Sequence, residues 1–413
     1  MVNVSAAPIV VDDLPAARRS LRIAVVTETY PPDVNGVAMT VGHIVDGIRA
    51  RNHDVQLVRL RQEKNDLAAD GEGFREVLMR GMPIPRYPQL RMGVPSKQAL
   101  VKLWSLKRPD LVHIATEGPL GWSALRAARH LKLPISSDFR TNFHSYSAHY
   151  GIGWLHKPIL AYLRKFHNRT QCTMVPTEAL KRDLCSRGFQ DVAVVSRGVD
   201  TRLFDPAKRS AELRHSWGAG PDTPVILCVG RLAPEKNLGA AVQAYEAMRA
   251  VNSGARLVLV GDGPATGDLR GACPDGIFAG MRTGEDLATH YASADIFLFP
   301  SLTETFGNVT QEAMASGLAV LAYDYAAAAQ LIRSGENGVL ARFDDRADFV
   351  HAASRLAHDL QAARALGLRA RQTACAQSWE RVVADLEAVF VSVLRRAPAP
   401  SASLFLRAGP EAL

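Results

Sequence analysis

Pro224-Val225-Ile226-Leu227-Cys228-Val229-Gly230-Arg231-Leu232-Ala233-Pro234-Glu235-Lys236-Asn237 decides how this chain folds. A short apolar run closes on glycine, two cations follow, and a helical pattern begins at Leu238. Such a run, bounded by turn residues and followed by a helix-length segment, reads as a buried strand of a parallel sheet. The same order occurs far upstream, where Leu21-Arg22-Ile23-Ala24-Val25-Val26 runs into a turn-rich loop over 27–36 and a helical stretch over 37–51. A pattern that starts twice implies an α/β chain built as two doubly wound, Rossmann-like units.

Working outward, apolar segments recur at 55–60, 111–114, 134–138, 172–175 and 192–195 in the first unit. In the second they recur at 257–260, 277–279, 296–299, 319–322 and 338–341, with helical segments at 238–250, 284–292, 306–316 and 347–357. The polar stretch 197–221 reads as the linker. The expected organisation is a loose leader over 1–19, a first domain over 20–200, a second over 201–378, an amphipathic helix over 379–396, and a flexible Pro-, Ala- and Ser-rich tail over 397–413. With 413 residues and 47% apolar content, each domain has enough chain for its own core.

No apolar run reaches the roughly 20 residues needed to span a bilayer, and the start lacks the basic and apolar regions of a secretory signal. The expected location is the cytoplasm, free or peripheral on the inner face of the cell membrane. Cys172, Cys185, Cys228, Cys273 and Cys375 form no C-x-x-C pair, which argues against a disulfide framework and a zinc site. Residues 1–200 hold 28 Lys and Arg against 18 Asp and Glu, whereas residues 201–413 hold 21 against 23. The excess concentrates over 75–108, where Arg75, Arg80, Arg86, Arg91, Lys97, Lys102, Lys107 and Arg108 are opposed only by Glu76. This run reads equally as a solvated face or as an attraction to an anionic membrane surface or acidic acceptor. Nucleic acid is disfavoured, because Tyr87 and Trp104 are too sparse for a stacking platform and no binding motif accompanies them.

Open α/β sheets bind ligands at the carboxyl ends of their strands, so two of them create a cleft. The loop Tyr30-Pro31-Pro32-Asp33-Val34-Asn35-Gly36-Val37 then faces the loops of the second domain, and Gly36 lets backbone approach a phosphate or simply makes a turn. Arg231 and Lys236, after a strand and before a helix, suit a diphosphate, although either alone also reads as a surface cation. Phe299-Pro300-Ser301-Leu302-Thr303-Glu304-Thr305-Phe306-Gly307-Asn308-Val309-Thr310-Gln311-Glu312-Ala313 ends an apolar run and opens a helix whose unpaired N–H groups suit an anion. Glu304 is placed for sugar hydroxyls, and Glu312, about two turns on, for the vicinal hydroxyls of a ribose. Val260-Gly261-Asp262-Gly263-Pro264 reads as a tight strand-to-helix turn, and Phe278-Ala279-Gly280-Met281-Arg282 as backbone able to meet a base edge.

In this order, Gly230-Arg231 with Glu235-Lys236-Asn237, Gly261-Asp262-Gly263-Pro264, Ala294-Asp295, and Glu304 with Glu312 resemble the retaining glycosyltransferases of the GT-B fold. The resemblance covers about residues 21–395. It points to the large family that includes bacterial α-mannosyltransferases, α-glucosyltransferases and sulfoquinovosyl-lipid synthases. The segment 83–95, Pro109-Asp110-Leu111-Val112-His113-Ile114 with Glu117-Gly118-Pro119, and Gly198-Val199-Asp200 with Phe204 extend it. The resemblance implies that Arg231 and Lys236, beside Gly230 and Gly261, bind the donor β-phosphate, with Asn35 and Gly36 approaching from the other domain. Glu304 and the backbone of Phe306, Gly307, Asn308 and Val309 would hold sugar and phosphate, Glu312 the ribose, and Gly280 and Met281 the base. The helix around Trp379 would cross back onto the first domain.

One departure stands out. Many relatives carry a His near the transferred sugar, where Asp138-Phe139-Arg140-Thr141-Asn142-Phe143-His144 here puts Arg140, with His144 four residues later and His149 beyond. Arg140 could stabilise the departing diphosphate, and His144 could contact donor or acceptor or be structural. The expected reaction is retaining transfer of a mannose- or glucose-type hexose from a UDP- or GDP-sugar to a hydroxyl acceptor, a lipid or lipid-linked glycan. No cofactor and no metal are expected, because no Asp-x-Asp pair is present and the cations must offset the leaving-group charge. A nucleotide-sugar epimerase and a non-catalytic donor-binding subunit remain as alternatives.

Overall fold

The computed structural model describes residues 20–33, 35–63, 65–84, 87–140 and 156–396. The leader and tail, together with His144 and His149, lie outside the described residues.

The first sheet has strand order β10-β9-β8-β7-β1-β2-β4-β3. Its members are β1 (Arg22–Val26), β2 (Asp54–Leu60), β3 (Asp70–Gly71), β4 (Phe74–Met79), β7 (Leu111–Ile114), β8 (Ile135–Asp138), β9 (Cys172–Val175) and β10 (Val192–Val194). All pair in parallel except β3 with β4, while β5 (Gly81–Ile84) and β6 (Tyr87–Gly93) form a separate antiparallel ribbon. The second sheet, order β13-β12-β11-β14-β15-β16, is wholly parallel. It comprises β11 (Val225–Val229), β12 (Arg256–Val260), β13 (Ile277–Gly280), β14 (Ile296–Phe299), β15 (Ala319–Tyr323) and β16 (Val339–Ala341). The central strands β1 and β11 are buried on both faces, which is why they read as continuous apolar runs and not as alternating ones.

The basic segment spreads over several elements. Arg75 lies on β4, Arg91 on β6, and Lys97 and Lys102 on the helix Lys97–Leu106. Strand β4 escapes the apolar-run criterion because it carries Arg75 and Glu76. Glu76 is nonetheless buried, since Arg59 of β2 donates to it at 3.0 Å and to Asp66 at 2.7 Å.

The stretch 197–221 is also more than a linker. Phe204 and Trp217 are buried in the core of the second domain, and the helix Ala211–Ser216 stands against it. Buried Asp295 gathers Arg209 at 2.9 Å, Arg214 at 3.1 Å and Arg364 at 3.1 Å, pinning this stretch to the second sheet. A further helix, Leu360–Cys375, packs Ala370 and Ala374 into the same core. The chain leaves one domain for the other near Val199 and returns beside it: Val199 N donates to Gln377 O at 3.2 Å and bridges to Ser378. The last helix, Trp379–Arg396, then buries Val383, Leu386, Phe390 and Val393 with Ile23, Val25, Val41 and Ile44 of the first domain. Trp379 stacks on His43 at 4.6 Å.

Candidate functional site

The carboxyl ends of β11 and β14 converge on one pocket lined by Gly230, Arg231, Leu232, Lys236, Phe299 and Pro300. The loop after β12, which runs against the loop after β11, requires glycine. Gly261 has φ +128°, and a Cβ there would lie 2.0 Å from the Gly230 carbonyl oxygen; one on Gly263 would lie 2.3 Å from that of Leu232. The two loops therefore run in backbone contact, with Leu232 N donating to Asp262 O and Ala265 N to Leu232 O, both at 2.9 Å.

The cations are held from below. A 3-10 turn, Pro234–Lys236, ends in left-handed Asn237 and brings Glu235 under Arg231. Glu235 is almost wholly buried and forms an ion pair with Arg231, whose side chain stays 47% exposed at the lip. Lys236 pairs with Glu304, and Ser301 Oγ donates to the same carboxylate oxygen at 2.8 Å. Tyr325 OH donates to the Glu304 carbonyl at 3.0 Å, and Lys236 Nζ lies 5.9 Å from the Phe299 ring centroid. Glu304 is thus fixed at both its backbone and its side chain.

Gly307, at φ +94°, turns the chain into the helix Asn308–Ala315. The first turn, with Asn308 and Val309, carries the positive end of the helix dipole and N–H groups without intrahelical partners. Phe306 is buried beneath it, its carbonyl accepting from Ala327 N at 2.9 Å. Glu312, on the same helix, accepts from Tyr291 OH at 2.9 Å. Burial pushes the Glu312 carboxyl up to about 7, against the effect of that hydrogen bond. Gly280 accepts from Gly261 N at 2.9 Å, and Met281 beside it is 60% exposed.

Across the cleft, Asn35 caps the helix Gly36–Ala50, accepting from Val37 N at 3.1 Å and Ala38 N at 2.9 Å. A Cβ on Gly36 would lie 3.6 Å from Asn308 Nδ2, so the first domain meets the second at the start of its anion-facing helix. Residues 223–359 match the family described as Glycosyl transferases group 1, and residues 34–203 match Glycosyltransferase Family 4. A GDP-mannose-dependent alpha-mannosyltransferase of Mycolicibacterium smegmatis is 33% identical over 379 residues, spanning 91% of this chain and 98% of that protein.

The chain belongs to the group 1 glycosyltransferases.

A sulfoquinovosyl transferase of Arabidopsis thaliana is 30% identical over 316 residues, 74% of this chain and 61% of that protein. Sucrose-phosphate synthase from Thermosynechococcus elongatus superposes with a TM-score of 0.73 at 19% identity, covering 91% of this chain and 99% of that one. The glycosyltransferase therefore has the GT-B architecture, two Rossmann-like domains facing across a cleft.

Within this glycosyltransferase, Gly230, Arg231 and Lys236 line the pocket, Lys236 links it to Glu304, Gly261 meets the Gly230 backbone, and Gly307 stands against Phe299 and Glu304. Arg140 belongs to a separate network. It is 6% exposed and pairs with Asp138, which also receives His113 Nε2 at 3.1 Å. Burial opposes ionisation of Asp138, yet Arg140 and His113 hold its carboxyl well below the usual range. Two partners escaped the sequence reading. The i, i+4 spacing of Arg231 and Glu235 was an available signal for the first; Tyr325 had none, because it reaches Glu304 from a distant loop.

Proposed function

We propose that this glycosyltransferase moves a hexose, mannose foremost, from a GDP-sugar to a hydroxyl of a lipid or glycan, with retention at the anomeric carbon and without a metal ion or cofactor. The observation that carries the reading is the Lys236–Glu304 ion pair beside the start of the helix Asn308–Ala315. It supports the reading because a cation suited to a diphosphate and a carboxylate suited to sugar hydroxyls stand side by side.

As the bond from the anomeric carbon to the phosphate oxygen breaks, negative charge grows on the β-phosphate. Arg231, Lys236 and the helix N-terminus are the groups to meet it. The acceptor oxygen forms the new bond on the same face, and its proton passes to the departing phosphate. Guanine is favoured by the name of the 33%-identical mannosyltransferase. A lipid acceptor is supported by a second relative, an alpha-monoglucosyldiacylglycerol synthase of Streptococcus pneumoniae at 26% identity. Exposed Arg75, Arg80, Lys97, Lys102 and Arg108 support peripheral docking on the inner, anionic face of the cell membrane. No described helix is long and apolar enough to cross a membrane.

The test is a thermal-shift series over GDP, UDP and ADP sugars, followed by transfer with the preferred donor in chelator and NMR of the product's anomeric proton. GDP-mannose at 100 times its dissociation constant should stabilise the native state by about 2.7 kcal/mol. An unshifted melting temperature with every donor, or an inverted product, would overturn the reading.

A further inference from the structure

Arg140 follows β8 and Arg197 follows β10, so both guanidinium groups stand at the carboxyl ends of first-domain strands, on the cleft side. Each residue is only 6% exposed. They line one cavity of about 20 Å³ together with Thr40, Asp138 and Ser196, room for a single oxygen-sized group.

The local charges do not balance. Asp138 is ionised and paired with Arg140, but Arg140 Nε is buried without a hydrogen-bond partner among the described residues. The Arg197 side chain makes no hydrogen bond or ion pair among the described residues; burial, then the charge of Arg140, push its guanidinium down to about 9, with Asp138 opposing. Glu117 is close enough to feel Arg140, yet burial raises its carboxyl to about 8, so it stays protonated at neutral pH. His113 is committed to Asp138 and to Ser136 Oγ at 3.0 Å. Two guanidinium ions thus face one carboxylate in a buried seam. Arginine does not escape by losing its proton, and an uncompensated buried charge is strongly destabilising.

We propose that Arg140 and Arg197 form an oxyanion site for a phosphate group carried by the acceptor, separate from the diphosphate site at Arg231 and Lys236. The inference rests on the glycosyl-transfer reading above. Two guanidinium groups can converge on one phosphate oxygen, the size this cavity admits, and they belong to the domain opposite the donor pocket. Arg197 is also tied to the donor side: its carbonyl accepts from Gln311 Nε2 at 2.9 Å, and Gln311 lies on the helix Asn308–Ala315. A phosphate gripped here would anchor the acceptor beside the helix that holds the donor.

The experiment titrates inorganic phosphate into the full chain saturated with GDP, by calorimetry. Saturable binding is expected, about 30-fold weaker in Arg197→Gln and partly restored in Arg197→Lys, with GDP affinity unchanged in both. Competition by sn-glycerol 3-phosphate alone would mark a free phosphate ester as the acceptor; competition also by phosphatidylglycerol vesicles would mark a lipid headgroup. Phosphate binding that GDP abolishes, or that survives Arg197→Gln intact, would overturn the proposal. Should Arg197→Gln fail to fold, an Arg197→Lys variant indistinguishable from wild type in phosphate affinity at every ionic strength would do the same. Failure of the donor reading shows separately, as an absence of GDP binding at the outset.

Discussion

Gly36 and Asn308 confront each other across the cleft, with only 3.6 Å between the place a Cβ would take on Gly36 and the Asn308 amide nitrogen. Alanine fits that gap in ordinary contact; the γ-methyl groups of valine reach toward the amide, which must turn aside. Gly36→Ala should therefore leave the melting temperature unchanged or slightly raised, since Gly costs roughly 0.5–1 kcal/mol relative to Ala within a helix. Gly36→Val should displace the Asn308 side chain at the start of its helix and lower kcat/KM by about 100-fold, the scale expected of an ångström-level misplacement. Equal kcat/KM for wild type and Gly36→Val would show that the approach of these two residues has no part in transfer.

Arg231→Ala should weaken GDP by about 30-fold, corresponding to about 2 kcal/mol of charge-assisted hydrogen bonding. It also removes the Arg231 ion pair from Glu235, a carboxylate with almost no solvent of its own. A loss of stability should therefore accompany the loss of affinity, and Arg231→Ala/Glu235→Gln should recover the stability but not the affinity. Glu304→Gln should act differently, keeping GDP affinity within a few-fold while lowering kcat by about 100-fold or more, as loss of a transition-state contact does. Calorimetry and steady-state kinetics on the same preparations separate the two.

Nucleotide binding should release a proton near neutral pH. Glu312 has its carboxyl raised by burial to about 7, so at pH 6.5 much of it is protonated. Ribose hydroxyls donating to the carboxylate would favour its charged form, expelling the proton and making GDP affinity rise with pH through that region. Calorimetry in two buffers of different ionisation enthalpy should report the release, and Glu312→Gln should abolish it. For stability the sign is opposite. Between about pH 4.5 and 7 the native state holds a proton that the unfolded chain has given up, so this group's contribution falls as pH rises and levels off above about 7.

Vesicle flotation tests the basic surface. Arg75, Arg80, Lys97, Lys102 and Arg108 are exposed, although Lys107 is partly answered by Asp54 at 3.6 Å. Replacing Lys97 and Lys102 by Glu should reduce binding to anionic vesicles at low salt, by about 1 kcal/mol for each cation lost at the surface. Equal binding of wild type to neutral and anionic vesicles would remove electrostatic docking from consideration.

The two sheets were legible because strands covered on both faces must be apolar along their whole length, as β1 and β11 are. Strand β4 was not, because a buried ion pair replaced hydrophobicity: Glu76 can occupy a sheet interior only where Arg59 waits on the adjacent strand, and no local pattern encodes that meeting. The stretch 197–221 misled in the same way, its Arg209 and Arg214 signalling solvent while answering the buried Asp295. At the site, the cations and glutamates could be picked out singly from their strand-end positions. Their pairing could not, since Lys236 and Glu304 reach each other only once β11 and β14 are neighbours.

The return of the last helix to the first domain reverses the order in which the two halves can be completed. Phe390 and Val393 fill a core whose first strand begins at Arg22. During synthesis the earlier domain must wait, with part of its apolar interior open, until nearly the whole later domain has been made. The second domain has its sheet and its helices contiguous in the chain and can fold as it emerges. The half that is made first is finished last.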